Sequence, residues 1–155
     1  MTPKNLRVFL DTSVIFAAVL SKTGGARKLF QIGEAGLLRL VVGPTVLREA
    51  DEVVRRKIPA SLPILAQLLS SGRVETSPVS TREQLELARA FVQYPPDARV
   101  LAESIQANPD WFVTHDKEHF LQMHSETDLS FRIGTPGDLL QSIKDDFSAQ
   151  FEVGE

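Results

Sequence analysis

Cysteine is absent from the 155-residue sequence, and tryptophan and tyrosine occur only once each. Without cysteine the chain can form no disulfide bond, no thiolate metal site and no cysteine nucleophile. Such a chain suits a reducing compartment, so we expect it in the cytoplasm. Long hydrophobic runs are absent as well. The apolar stretch near the start is interrupted by Asp11, so we expect no secretory signal. The apolar run at residues 14–20 is far below the ~20 residues that span a bilayer, so we expect no association with a membrane.

Neither sign of charge dominates the composition. The chain has 17 basic and 20 acidic residues, a formal net charge of −3, and 43% hydrophobic residues. These proportions are typical of a globular protein and argue against disorder. We expect one domain over residues 1–147, followed by a frayed tail at residues 148–155. The net charge alone gives no indication of nucleic-acid binding.

Short apolar runs alternate with helical patterns along the chain. The runs at residues 8–10, 38–42 and 111–113, with a fourth near 131–133, lack polar alternation, which is typical of parallel strands covered on both faces. Between them, apolar residues recur at helical spacing, for example over residues 46–54. The alternation predicts a three-layer α/β/α sandwich with a mostly parallel central sheet.

Capping signals support the predicted helices. Gly43 and Pro44 precede one helix, and Thr81 with Gln84 forms the pattern of a capping box. The sequence Thr-Pro-Gly-Asp at residues 135–138 predicts the start of a last helix that ends near Phe147.

Acidic residues stand where two predicted strands end. Asp11 follows the first strand, and Asp116 follows the strand at residues 111–113. In parallel sheets ligands bind beyond the carboxyl ends of the strands, so neighbouring strands would present both carboxylates at one edge. Glu49 flanks the apolar stripe of its helix, and Asp97 begins another helix.

Each of these acids also has a purely structural interpretation. Asp11 and Asp116 could form turns, Asp97 could cap its helix, and Glu49 could be solvated. Converging carboxylates repel each other, however, and a divalent cation makes such a cluster tolerable. Oxygen ligands select Mg²⁺ or Mn²⁺, the ions that orient water for phosphodiester hydrolysis.

These motifs resemble the PIN domain family, whose members include the VapC-type ribonuclease toxins of toxin–antitoxin pairs. The resemblance covers residues 7–143 and rests on "FLDTSV", "VVGPTVLREADEVV", "PPDARVLAESI", "PDWFVTHDKEHFL" and "RIGTPGDLL". It implies that the four metal-binding and catalytic acids are Asp11, Glu49, Asp97 and Asp116. It also implies that supporting hydroxyls beside the carboxylates come from Thr12, Ser13 and Thr114. Asp97 lacks the additional acids that family members often carry around it, and Ser13 stands where Asn is common.

The resemblance further implies an endoribonuclease that uses Mg²⁺ or Mn²⁺ and leaves 5′-phosphate and 3′-hydroxyl ends. A small antitoxin protein would block the site, and the chain would form a homodimer. Without the four site acids, 16 acidic residues remain against 17 basic ones, so basic residues can meet RNA phosphates locally. The candidates for these contacts are Lys22, Arg27, Lys28, Arg48, Arg99 and Lys117.

Other functions remain open on the sequence. His115 and His119 have an H-x-x-x-H spacing that could bind zinc, although a zinc protease needs Glu directly after the first histidine and Asp116 stands there. Ser13 lacks the G-x-S-x-G pattern of a serine hydrolase. A non-catalytic PIN-like module for RNA binding or protein interaction, and a DNA nuclease of the same fold, are the remaining alternatives.

Overall fold

Five parallel strands form one sheet in the computed structural model, which describes residues 5–116, 119–120 and 129–153, the last four by backbone alone. The strands are β1 (Leu6–Leu10), β2 (Leu38–Val42), β3 (Glu75–Thr76), β4 (Trp111–Val113) and β5 (Arg132–Gly134). Their order across the sheet is β3-β2-β1-β4-β5. Along the chain, β2 and β3 are therefore added on one side of β1, and β4 and β5 are added on its other side. The order of strands reverses between β1 and β4.

Helices flank this sheet and complete the predicted three-layer α/β/α architecture. They are α1 (Thr12–Leu20), α2 (Gly25–Glu34), α3 (Pro44–Lys57), α4 (Leu62–Ser71), α5 (Arg82–Phe91), α6 (Pro95–Ala107) and α7 (Pro136–Val153), with a 3₁₀ turn at Pro59–Ser61. Among the described residues, no helix is both long enough and apolar enough to cross a membrane.

The central strands are apolar because both faces of the sheet are covered. Val8, Phe9 and Leu10 of β1 have no exposed surface. Phe9 is paired with Phe112 of β4, and their rings stack with centroids 5.6 Å apart. Continuous apolar runs of this kind are expected for parallel strands between two helical layers.

The predicted helix starts are confirmed by their hydrogen bonds. Thr81 Oγ1 accepts from the Gln84 amide at 3.2 Å, and the Gln84 side chain accepts from the Thr81 amide at 2.8 Å. A reciprocal pair joins Thr135 and Asp138 at 3.1 and 2.9 Å. Each pair satisfies amide groups that have no partner within the first turn of a helix.

Two elements differ from the sequence prediction. Strand β3 is not predicted, because it has only two residues, one half-buried and one exposed, and leaves no apolar run. The last helix is predicted to end near Phe147, whereas α7 continues to Val153. Residues 148–153 contain neither glycine nor proline to stop the helix, which explains why it continues past Phe147.

Candidate active site

Asp11 lies at the point where the strand order of the sheet reverses. Its amide donates to the carbonyl of Val113 at 3.0 Å, which continues the β1–β4 pairing by one residue. Asp116 follows β4 three residues later. The prediction that the two acids would share one sheet edge is therefore correct, because β1 and β4 are neighbours. Ligands of open α/β sheets bind at such switch points.

Two hydroxyl groups hold the Asp11 carboxylate. Its Oδ2 accepts hydrogen bonds from Ser13 Oγ and Thr114 Oγ1, each at 2.8 Å. The same hydroxyls accept from the next loop: Ser13 Oγ from the His115 amide at 3.0 Å, and Thr114 Oγ1 from the Asp116 amide at 2.9 Å. Asp11 makes no side-chain capping bond to α1. Ser13 and Thr114 therefore hydrogen-bond the carboxylate and join the ends of β1 and β4.

Burial dominates the electrostatics of Asp11. The residue is only 7% exposed, and this desolvation raises the pKa of its carboxyl above the ordinary value. The hydrogen bonds from Thr114 and Ser13 oppose the rise, and the charge of Asp116 adds to it. A carboxylate in this position is costly to ionise unless positive charge is supplied nearby.

Glu49 reaches the same region from α3. Its Oε2 accepts a hydrogen bond from Thr12 Oγ1 at 3.0 Å, which joins α3 to the first turn of α1. Desolvation raises the pKa of Glu49, the Thr12 bond lowers it, and the charge of Asp11 raises it further. Thr12 therefore contacts Glu49 and not Asp11 through its hydroxyl group.

Asp97 and Asp116 meet at His119. The Nδ1 atom of His119 lies 2.8 Å from Asp97 Oδ2 and 2.9 Å from Asp116 Oδ2. Only the contact with Asp116 meets the geometry of a hydrogen bond, and Asp97 Oδ2 is a buried oxygen without a hydrogen-bond partner. Ligand atoms of the three residues lie within 4.8 Å of one another.

The pKa of Asp97 is affected by the charges of the three other predicted acids. Burial raises this pKa to about 6, His119 opposes the rise, and the charges of Asp116, Asp11 and Glu49 add to it. The charges of the three other acids therefore all reach Asp97, whereas the ligand atoms that lie within 4.8 Å of one another are those of Asp97, Asp116 and His119 among the described residues. An oxygen-rich cluster with an unsatisfied buried carboxylate oxygen fits a divalent cation.

The basic residues predicted to contact phosphates differ in their exposure. Four of the candidates are exposed: Lys22, Lys28, Arg48 and Arg99. Arg48 is close enough to act on the pKa of Glu49. Arg27 is half-buried, and its Nε donates to the Ala18 carbonyl in the last turn of α1 at 2.7 Å, so part of this guanidinium stabilises a helix end. Lys117 lies outside the described residues.

Sequence reasoning missed Glu103, a buried acid that links two helices of the cleft. It is 4% exposed and accepts hydrogen bonds from the Thr45 amide at 2.7 Å and from Thr45 Oγ1. Gly43, the residue before α3, has no side chain to cap that helix, so Glu103 on α6 caps it instead. A Cβ at Gly43 would lie 2.2 Å from Glu103 Oε1. In the sequence, the signal for this contact is a charged residue among the small apolar residues of α6.

From the sequence alone, His119 is a candidate ligand only as one half of an H-x-x-x-H pair. Within the described residues His115 is not part of a metal-binding group, whereas His119 joins Asp97 and Asp116. The signal for this contact is the spacing of His119 from Asp116, because a side chain three residues later in a turn can reach back to the acid.

Known proteins share this sequence pattern and this fold. A family model described as PIN domain matches residues 7–118. A chain of the DNA-bound VapBC from Salmonella typhimurium is 16% identical, with a TM-score of 0.63 over 84% of this chain and 98% of that chain. PAE2754 from Pyrobaculum aerophilum is 15% identical, with a TM-score of 0.59 over 91% of this chain and 97% of that chain.

A third solved structure is VapC20 of Mycobacterium tuberculosis, a sarcin-ricin loop cleaving toxin. It is 19% identical, with a TM-score of 0.52 over 72% of this chain and 92% of that chain. At these identities the three structures establish the fold alone. No curated protein matches the sequence.

The cap that Glu103 provides predicts a stability effect. Replacing Glu103 by Ala leaves the buried amide and hydroxyl of Thr45 without an acceptor, which should cost about 1–3 kcal/mol of unfolding free energy. Glu103→Gln should cost less, because its carbonyl oxygen can still accept from the amide. Urea unfolding followed by circular dichroism measures both. The matched control is Glu52→Ala on the exposed side of α3, expected within about 0.5 kcal/mol of wild type. Equal stability of Glu103→Ala and the control would contradict the assignment.

The raised pKa of Asp97 predicts a pH dependence of stability without metal. The folded protein keeps the Asp97 proton up to about pH 6, whereas an unfolded aspartate loses it near pH ~4, so this contribution is lost as the pH rises between the two values. Asp97→Asn has no such proton. The melting temperature of Asp97→Asn should therefore rise relative to that of wild type between pH 4 and pH 6. Above pH 6 the difference between the two melting temperatures should stay constant. Thermal unfolding in chelator measures this, with the half-buried Asp51→Asn as control. A difference that stays constant with pH would refute it.

Proposed function

The chain belongs to the PIN domain family, and from this membership and its acidic cleft we propose that it is a metal-dependent endoribonuclease, the toxin of a toxin–antitoxin pair. The ion is Mg²⁺ or Mn²⁺, and the products carry 5′-phosphate and 3′-hydroxyl ends. The cleft meant here is the group Asp11, Glu49, Asp97 and Asp116 with the hydroxyl groups around it.

The convergence of like charges is the observation that carries the proposal. Burial raises the pKa of Asp97 to about 6, and three further carboxylates add to that effect. Repulsion of this kind destabilises a folded protein unless a cation compensates it. Oxygen donors are the ligands that Mg²⁺ and Mn²⁺ prefer, which supports these ions.

Each side chain of the cleft has its own task in the reaction. Asp11, Glu49, Asp97 and Asp116 would hold the cation, and the two hydroxyl bonds to Asp11 Oδ2 fix the orientation of that carboxylate. When bound, the cation would activate a water molecule for in-line attack on phosphorus and stabilise the leaving oxygen. Glu49 has a raised pKa and is fixed by Thr12, so it is suited to accept a proton from the attacking water.

The choice of RNA as substrate and of an antitoxin as partner follows from the relatives. VapC20 is a sarcin-ricin loop cleaving toxin, and a chain of the DNA-bound VapBC has the same fold. We infer by analogy that a small antitoxin protein covers the cleft and that the chain forms a homodimer. Exposed basic residues, Arg48 beside Glu49 foremost, would contact RNA phosphates without reading the sequence. Lys22, Lys28, Arg99, Arg27 and Lys117 are the other proposed contacts.

Cleavage assays on acidic-to-amide variants test the nuclease. Asp11→Asn and Asp116→Asn keep the shape of the side chain but remove the charge that holds the cation, so RNA cleavage should fall by at least about 100-fold. Glu49→Gln and Asp97→Asn should also lose activity. Gel analysis of purified protein on a structured RNA, with Mg²⁺, Mn²⁺ or chelator, measures the loss.

The matched control is Glu52→Gln, which removes one exposed carboxylate from the same helix as Glu49 and should leave cleavage unchanged. Activity of Asp11→Asn or Asp116→Asn within a few-fold of wild type would remove that residue from the metal site. Equal cleavage of single-stranded DNA would favour the DNA nuclease of the same fold. Wild-type protein that cleaves neither nucleic acid would favour the non-catalytic module.

Growth of a host cell tests the toxin. Expression of the chain alone should arrest growth, because RNA hydrolysis depletes an essential RNA, and Asp11→Asn should not. Co-expression of a small protein encoded beside the gene should restore growth if that protein is the antitoxin. Colony counts after induction measure both effects. Equal growth inhibition by wild type and Asp11→Asn would show that hydrolysis is not the cause, and normal growth with wild type would favour a housekeeping nuclease.

A further inference from the structure

His119 contacts two carboxylates with a single nitrogen atom. Its Nδ1 lies 2.8 Å from Asp97 Oδ2 and 2.9 Å from Asp116 Oδ2. A neutral imidazole nitrogen carries at most one proton, and that proton can point at one oxygen only. The hydrogen bond goes to Asp116, and the buried Asp97 oxygen is left without one. The imidazole alone therefore does not satisfy the polar atoms of this part of the cleft.

The two distances from His119 Nδ1 are close to those between neighbouring ligands of one cation. Neighbouring ligand atoms of an octahedral ion at ~2.1 Å lie about 3.0 Å apart. The two distances from His119 Nδ1 are 2.8 and 2.9 Å, and the three ligand atoms lie within 4.8 Å of one another. A cation bound to all three would replace the shared proton and satisfy the Asp97 oxygen as well.

His119 is held in this place by its surroundings. Its amide donates to Asp116 Oδ1 at 3.1 Å, and the ring of Tyr94 stacks on the imidazole with centroids 5.8 Å apart. The next residue, Phe120, is 1% exposed and packs its ring against Phe112 of β4 at 4.9 Å. An imidazole fixed before metal binding loses less conformational freedom when it coordinates an ion.

We propose that His119 is a ligand of the metal in this cleft and makes the site prefer Mn²⁺ to Mg²⁺. The inference rests on the proposed metal-dependent function. Carboxylate oxygens suit both ions, whereas an imidazole nitrogen favours transition metals over Mg²⁺. The nitrogen donor is therefore the part of the ligand set that separates the two ions.

Metal binding to the full chain tests the proposal without an activity assay. Metal-free protein is titrated with Mn²⁺ and with Mg²⁺ by calorimetry, and bound Mn²⁺ is examined by electron spin-echo spectroscopy for coupling to a ¹⁴N nucleus. Wild type should show the ¹⁴N coupling. His119→Gln should lose it and bind Mn²⁺ at least about 10-fold more weakly, with Mg²⁺ affinity changed by less than about three-fold.

Two further variants make the result specific. His115→Gln removes an exposed histidine from the same loop and should keep both the ¹⁴N coupling and the Mn²⁺ affinity. His119→Glu replaces the nitrogen ligand by an oxygen ligand, so it should retain metal binding while the preference for Mn²⁺ over Mg²⁺ falls. Circular dichroism of each variant checks that it is folded.

The outcomes separate this inference from the proposed function. Wild type that binds Mn²⁺ without ¹⁴N coupling, or with a coupling that persists in His119→Gln, would overturn the role of His119 and leave the metal site standing. Tighter Mn²⁺ binding by His119→Gln would also overturn it, since the imidazole would then be a competitor for the carboxylates. Wild type that binds neither ion would overturn the metal-dependent function and this inference together.

Discussion

The mutual repulsion of four carboxylates is the constraint on which the arrangement of this cleft depends. Asp11, Glu49, Asp97 and Asp116 come from four different elements, so a separate contact must hold each of them against the others. The carboxylate of Asp11 is held by two hydroxyls, that of Glu49 by Thr12, and that of Asp116 by His119, while the backbone amide of Asp116 donates to the Thr114 hydroxyl. Asp97 depends on its position in the first turn of α6. The hydroxyl groups of Thr12, Ser13 and Thr114 are therefore part of the cleft together with the acids.

Sequence reasoning predicts the parts of the site that follow from the strands. Asp11 and Asp116 could be placed together because apolar runs identify parallel strands and ligands bind at their carboxyl ends. The hydroxyls beside them are expected only from the resemblance to the PIN domain family, in which polar residues flank the acids. For the two acids, a local pattern and one general rule of α/β sheets suffice.

The parts that sequence reasoning misses depend on contacts between distant segments. Glu103 and Thr45 are 58 residues apart, and nothing in either local pattern specifies that they meet. His119 reaches Asp97 only because α6 and the loop after β4 lie side by side. Strand β3 is a strand only because β2 offers it a partner at residues 41–42. The pattern of residues within one segment does not show which distant segment it contacts.

Because Glu103 of α6 caps α3, the hydrogen bond of one backbone amide depends on the packing of these two helices. The Thr45 amide is buried against Glu103, so its hydrogen can exchange with solvent only when the two helices separate. These are the helices that position Glu49 and Asp97. The exchange rate at this single amide therefore reports how often the two acids move apart, and it does so in a protein with no RNA and no metal bound.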